Sequence, residues 1–485
     1  MQFSLASFAQ RPSAQAILIP FFQSEEGPPV IGADLPEEVK KSLTPLIESG
    51  DFQGRHAEVN VWYPYKAHDA RWICIGMGPQ KELSTEAIRR AYAAACRRCM
   101  GIKQKELILL PINRAPSGCD LFRGQVEGLA LANYIFGYKK SDLELVDSIT
   151  LVGYSEDDAA RAKKLDAVCR ATNRARDLAN GSADEVTPQY LADVTRSMHH
   201  PHLKVSVLEE EQLKQEGFGL ILAVGRGARH RPVLIRADYR GVPDSDETVV
   251  IIGKGVTFDT GGLNLKPTGS IETMRDDMAG AAAALGLLQA LVELEPKCNV
   301  SVLIPSVENA IGRDAYKPGD VFTSYSGKSV EVTNTDAEGR LILADAISYA
   351  NKHIAPKAIV DLATLTGAAI VALGYEVTAL MGNSDPLVDA LLAAGTKSGE
   401  RCWQLPLFKE YRKALDSDIA DIKNCAAARS AGSIIGGIFL KEFVENTPWV
   451  HLDIAGTSFL NEKSHYGIKN ASGVGVRLLA DWLGL

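Results

Sequence analysis

No apolar stretch in this chain is long enough to cross a bilayer: the longest, residues 278–292, is closed off by Asp277 and Glu293, short of the roughly 20 residues required. Residues 1–20 lack the basic flank and long apolar block of a secretory leader, and the run 16–20 is strand-sized. Cysteine is scarce, with 8 scattered from Cys74 to Cys425, so no disulfide framework is expected. Cys96 and Cys99 stand close together, but in an Ala- and Arg-rich helical stretch without a second such pair or a His pair. They read as small buried side chains rather than a zinc or redox site. Excess positive charge is missing as well: the formal net charge of −8 offers no global attraction to nucleic acid. These absences together point to a cytoplasmic protein with reduced thiols, no membrane partner and no evident polyanion partner.

What is present is material for a large core. At 485 residues and 46% hydrophobic content, two or three folding units are expected. In the N-terminal part, β-rich runs at 16–20, 72–75, 106–110 and 145–152 alternate with helical stretches at 86–100 and 124–136, which makes an α/β unit. It contains no Gly-rich phosphate loop and no cluster of His, Cys or paired acids. Residues 155–180 are highly charged, with Ala and Leu between the charges, and read as a solvated linker helix. The expected domains are therefore 1–154, the linker 155–180, and a larger unit 181–485. Strands expected at 204–208, 249–253, 299–305, 329–333, 358–361, 377–381 and 450–454 alternate with helices, implying a mainly parallel sheet flanked by helices.

Ligands of such sheets gather where strands end, and acidic residues collect there. The run 249–252 delivers Lys254 and Asp259, and the run 330–333 is expected to deliver Asp336 and Glu338 to the same rim. A helix expected over 272–293 presents Asp277 in its first turns. Four carboxylates brought together resist ionising unless a cation joins them. With a lysine added, they fit a pair of divalent ions about 3.5 Å apart, an arrangement used in hydrolysis. A ligating lysine must be neutral, far below its usual pKa of about 10.4. The Gly253-Lys254-Gly255 run is not a phosphate loop, because Thr248 stands where a glycine is needed and Gly255 where Ser or Thr is needed. Asp259 taken alone would be an ordinary turn former.

The heptapeptide Asn334-Thr335-Asp336-Ala337-Glu338-Gly339-Arg340 resembles the signature of the leucyl (cytosol) aminopeptidases, and residues 253–262 and 266–280 match that family in order and spacing. Val224-Gly225-Arg226-Gly227, Ala363-Thr364-Leu365-Thr366-Gly367 and His451-Leu452-Asp453-Ile454-Ala455-Gly456 extend the likeness. It runs from about Asn173 to the C-terminus, while residues 1–152 resemble the family's variable N-terminal domain only loosely.

The resemblance implies a metal-dependent enzyme that releases N-terminal residues from peptides. Asp259 and Glu338 would bridge two ions, Asp336 would complete one through side chain and carbonyl, and Lys254 with Asp277 would complete the other and receive the substrate amine. Lys266 would polarise the scissile carbonyl, and Arg340, always charged, would hold a bicarbonate that takes the proton from the attacking water. Substrate contacts fall on Met274, Asn334, Thr364, Leu365, Gly367 and Ala455, of which Met274, Thr364, Gly367 and Ala455 would form the side-chain pocket, an apolar, uncharged lining that suits Leu or Met; Ser458 departs from the larger apolar residue of some members. The ligand set suits Zn²⁺ or Mn²⁺, with Mg²⁺ also compatible. The resemblance further implies a homohexamer of two stacked trimers. DNA binding occurs among some bacterial relatives, but the net charge lends it no support. A two-metal phosphatase or nuclease would typically add His ligands and a basic groove, and none of the 9 His lies in the acidic motifs.

Overall fold

Aliphatic and β-branched runs build the centres of two separate sheets, and the polar segments between them turn the chain. The computed structural model describes residues 1–10, 16–64, 70–113, 116, 118–137, 140, 143–427 and 430–485. Two units result: Met1–Arg170 with Glu462–Lys469, and Ala171–Asn461 with Asn470–Leu485.

In the first unit the strands run in the order Gln2–Ala6, Ser148–Val152, Glu106–Leu109, Ala16–Gln23, Trp72–Pro79 and Val59–Trp62, with Val30–Ile31 added to Ala16–Gln23. The inner pairs are parallel and the last is antiparallel. Ala16–Gln23 and Trp72–Pro79 are buried almost throughout, as expected of strands covered on both faces. The sequence pattern missed the two edge strands, Gln2–Ala6 and Val59–Trp62, because partial exposure lets polar residues interrupt their apolar run. Helices Thr85–Gly101 and Leu121–Ala132 begin at side-chain caps, Ser84 and Asp120. They pack so closely that a Cβ at Gly128 would stand 2.4 Å from the Arg89 carbonyl.

The second unit is built on a nine-stranded sheet ordered Cys402–Gln404, Thr378–Gly382, Trp449–Asp453, Ala358–Ala363, Val249–Gly253, Asn299–Asn309, Val233–Arg240 and Leu203–Leu208, with Gly255–Asp259 added to Asn299–Asn309. Its centre is parallel; Val233–Arg240, Leu203–Leu208 and Thr378–Gly382 join antiparallel. Alternate residues serve opposite layers. Ile251, Val300, Val302 and Ile304 pack with helices Ala279–Leu294 and Val476–Leu483. Val250, Ile252, Leu303 and Val307 pack with Gly339–His353 and Gly432–Lys441. Each such side chain contributes about 1.5–3 kcal/mol of burial.

The helix expected over 272–293 starts only at Ala279, after a 3-10 turn at Met274–Asp276. The strand expected at 329–333 is the short Ser329–Glu331, and it lies in a separate three-stranded sheet with Val321–Thr323 and Ile422–Lys423. It therefore does not extend the rim of the main sheet. Residues Glu156–Asn180 form one continuous helix. Its N-terminal part buries Ala159 and Ala162 in the first unit, and its C-terminal part buries Ala171, Ala175 and Leu178 in the second. No helix among the described residues is long and apolar enough to cross a membrane.

Candidate active site

The site begins at a break in a strand. Val249–Gly253 and Gly255–Asp259 both pair in parallel with Asn299–Asn309, and Lys254 sits between them. Its N–H donates to the Leu362 carbonyl (3.0 Å) and its own carbonyl accepts from the Ala281 N–H (2.9 Å). Three glycines make room for it. A Cβ at Gly253 would stand 2.5 Å from the Gly280 carbonyl, one at Gly280 would be 2.1 Å from the Leu362 carbonyl, and one at Gly339 would be 2.5 Å from Lys254 Cε. The lysine is thereby buried, with Nζ 2.6 Å from Asp277 Oδ1, 2.9 Å from Glu338 Oε1 and 2.9 Å from the Thr364 carbonyl. Burial alone would lower its pKa, but Asp277, Glu338 and Asp259 outweigh it and hold the ammonium above the usual lysine range. Neutral Lys254 therefore requires a competing cation among these carboxylates.

Asp259, Asp336 and Glu338 bring ligand oxygens within 4.8 Å of one another. Lys266 Nζ lies 2.9 Å from Asp259 Oδ2 and 2.6 Å from Asp336 Oδ1. Burial, and then the neighbouring Glu338 charge, push the Asp259 carboxyl up to about 6. The same two causes raise Asp336, and burial raises Asp277. Glu338 goes the other way: burial would raise it, but Lys254 and Lys266 prevail and lower it. One oxygen of Asp277, Oδ2, is buried with no hydrogen-bond partner, while Oδ1 takes Lys254 and the Thr364 hydroxyl (2.6 Å). A convergent set of carboxylates with an orphaned buried oxygen, lacking His and Cys, fits hard divalent cations.

Of the remaining expected residues, Asn334 and Thr364 contact this cluster directly. Arg340, in the first turn of Gly339–His353, is buried; Nη1 donates to the Asn424 carbonyl (2.9 Å) and Nε has no partner. Asn334 accepts the Asp336 N–H at 2.8 Å and so shapes the acidic turn. Thr364 touches Asp277 directly. The N–H groups of Leu365 and Ala455 both donate to Asp453 Oδ1 (3.1 and 3.3 Å), so one carboxylate ties two of the expected substrate-contact positions together. Met274 lies half-buried in the 3-10 turn before Asp277, and Gly367 is exposed at the start of helix Gly367–Leu373. Ser458 is buried, its hydroxyl unpartnered.

Reading the sequence missed several participants. Asn309 donates to Asp259 Oδ1 (2.7 Å) and to the Thr335 carbonyl (3.0 Å), and the Tyr316 hydroxyl donates to that same carbonyl (2.7 Å). Asn424 donates to the carbonyls of Asn334 and Ala337. Polar residues that act through backbone carbonyls far away in sequence leave no local spacing to detect.

Residues 173–480 match the catalytic domain of the cytosol aminopeptidase family, and residues 18–142 match that family's N-terminal domain. The "probable cytosol aminopeptidase" of Protochlamydia amoebophila is 42% identical over 494 residues, covering 100% of this chain and 98% of that protein. The protein of the same description from Chlamydia felis is 41% identical, covering 98% and 97%. Among solved structures, the bottromycin maturation enzyme BotP in complex with Mn is similar with a TM-score of 0.84 and 32% identity, covering 97% of this chain and 99% of that one.

Proposed function

Since the chain belongs to the cytosol aminopeptidase family, we propose that its Lys254, Asp259, Asp277, Asp336 and Glu338 hold two divalent ions and that its Lys266 and Arg340 carry the catalytic step. The protein is a metal-dependent aminopeptidase that removes N-terminal residues from peptides. The convergence of Asp259, Asp336 and Glu338 oxygens within 4.8 Å is the observation that carries the metal site, and the buried, unpartnered Asp277 Oδ2 beside Lys254 supports a second ion there. Bound there, the ions would polarise the scissile carbonyl and ease deprotonation of water.

The chain's own groups supply the rest. The end of the site at Lys254 and Asp277 would receive the substrate's free α-amine, uncharged so that its lone pair can meet the ion these residues would hold, which would restrict action to N-termini. Lys266, held by Asp259 and Asp336, meets the developing oxyanion. Arg340 has a buried, unpartnered Nε, which supports a small anion such as bicarbonate beside it as the proton acceptor. Met274, Asn334, Thr364, Leu365, Gly367 and Ala455 would bind the substrate, with an apolar first residue such as Leu or Met preferred. Mn²⁺ is favoured as one native ion by the Mn named in the BotP complex; Zn²⁺ suits the same donors. A cytoplasmic location follows the description of the relatives, and assembly as a homohexamer follows the family resemblance. Nucleic-acid binding gains nothing from a net charge of −8.

The test is metal analysis of the purified protein, followed by Leu-p-nitroanilide hydrolysis after chelation and re-addition of each ion. Recovery with Mn²⁺ or Zn²⁺ is expected, and inactivity under every metal would overturn the reading.

A further inference from the structure

We propose that Asn309 is a positioning residue that locks the two acidic segments of the site into one geometry, so that Asp259 offers Oδ2 alone to the two ions it would bridge while Asp336 and Glu338 are held opposite it. The inference rests on the two-ion reading above and adds a residue to it.

Asn309 ends the long strand Asn299–Asn309, directly across from Asp259 in the register, and is fully buried. Its amide nitrogen has two N–H groups, and each goes to a different acidic segment: one to Asp259 Oδ1 (2.7 Å), the other to the Thr335 carbonyl (3.0 Å), immediately before Asp336. The Gly261 N–H also donates to Asp259 Oδ1 (2.8 Å). With Oδ1 occupied by two donors, Asp259 turns Oδ2 toward Lys266 and the cluster. The Tyr316 hydroxyl shares the Thr335 carbonyl (2.7 Å), and the Thr335 hydroxyl donates to the Gly261 carbonyl (2.6 Å), so the two segments are stitched at both ends.

Two details argue that the amide is there for its donors and not for packing. The Asn309 side-chain oxygen, Oδ1, is buried without a partner, a penalty an apolar residue of similar size would avoid. Nor can the amide turn over: exchanging its ends would set oxygen against both Asp259 Oδ1 and the Thr335 carbonyl. Gly262, at φ +62°, closes the space, since a Cβ there would stand 3.1 Å from Asn309 Oδ1 and 2.9 Å from the Thr335 hydroxyl. A residue that fixes the orientation of a metal-binding carboxylate typically governs affinity about 10- to 100-fold.

The experiment compares wild type with Asn309→Leu by calorimetric titration of Mn²⁺, by the visible absorption of the Co²⁺-loaded protein, and by Leu-p-nitroanilide kinetics. Wild-type metal binding and activity test the two-ion reading; only the variant tests Asn309. The expected result for N309L is metal affinity about 10- to 100-fold weaker, an altered Co²⁺ absorption band because Asp259 Oδ1 is released, and a lower kcat at saturating metal with KM little changed. Wild-type affinity and an unchanged Co²⁺ band overturn the proposal, whatever the activity. If N309L does not fold, Asn309→Ser takes its place, since its short hydroxyl reaches one partner at most, and the same loss of affinity is expected. Failure of both variants to fold also overturns the proposal, because Asn309 would then serve the fold rather than the site.

Discussion

Each of the two units buries a knot of charge, and the two knots differ in balance. In the N-terminal unit, Arg89 and Arg123 meet Glu86 and Glu127. Arg89 Nε lies 2.7 Å from one Glu127 oxygen and Arg123 Nε 2.9 Å from the other, and Arg89 also pairs with Glu86. Arg90 also reaches Glu86 (2.8 Å), so three guanidinium groups face two carboxylates there, and Arg89 and Glu127 are each only 1% exposed at the side chain. In the catalytic unit, two lysines, Lys254 and Lys266, face four carboxylates, and Asp277 Oδ2 has no partner. In the first knot every carboxylate is met by guanidinium groups and no further cation is called for; in the second the carboxylates outnumber the lysines, and a divalent cation can supply the missing positive charge.

The sharpest way to break this contrast is to remove one anion from each knot. Glu338→Ala should lose metal and activity together, with kcat/KM falling about 10³-fold or more, read by metal analysis and Leu-p-nitroanilide hydrolysis. Glu127→Ala should leave activity per folded molecule unchanged but lower stability by about 3–5 kcal/mol, read by urea denaturation. Full metal content in E338A, or metal loss in E127A, would erase the distinction.

A second comparison lies within the catalytic knot. Lys266→Ala should retain both ions and lose about 10²-fold in kcat, since it acts on developing charge and not on binding. Lys254→Arg places a cation that cannot be neutralised beside one ion, so affinity at that ion alone should drop about 10-fold. The same variant should discriminate poorly between Leu-anilide and its N-acetylated form; two tight sites with unchanged selectivity would make Lys254 structural.

The smallest effect concerns a balanced pair inside the catalytic unit. His451 Nδ1 lies 2.6 Å from Asp361 Oδ1, and the Trp449 indole donates to the other oxygen (2.7 Å). Burial would lower the pKa of His451, but Asp361 overrides it and keeps the imidazolium above its ordinary 6.5. A raised folded pKa means this pair stabilises fully below the unfolded pKa and is lost as pH rises through the folded value. Thermal stability should therefore decline above about pH 6.5, by at most about 1.4 kcal/mol per pH unit. In Asp361→Asn that slope should flatten, and an unaltered slope would assign the titration to another group.

From the sequence alone came the α/β class and the apolar centres of both sheets, because buried strands and helices repeat apolar residues at intervals that are visible locally. The acidic residues were legible too: Asp336 and Glu338 stand two apart in one turn, and Lys254 and Asp259 flank one strand. Edge strands such as Gln2–Ala6 were not, since exposure removes the signal. Nor was the separate small sheet of Ser329–Glu331, because strand pairing is a long-range choice. Only the tertiary structure decided how the charges meet. It placed Gly253, Gly280 and Gly339 around Lys254, joined Asp453 to the Leu365 and Ala455 loops, and carried Asn309 to the carbonyl before Asp336. Each of these depends on packing between segments tens of residues apart, and such contacts leave no periodicity in the chain that makes them.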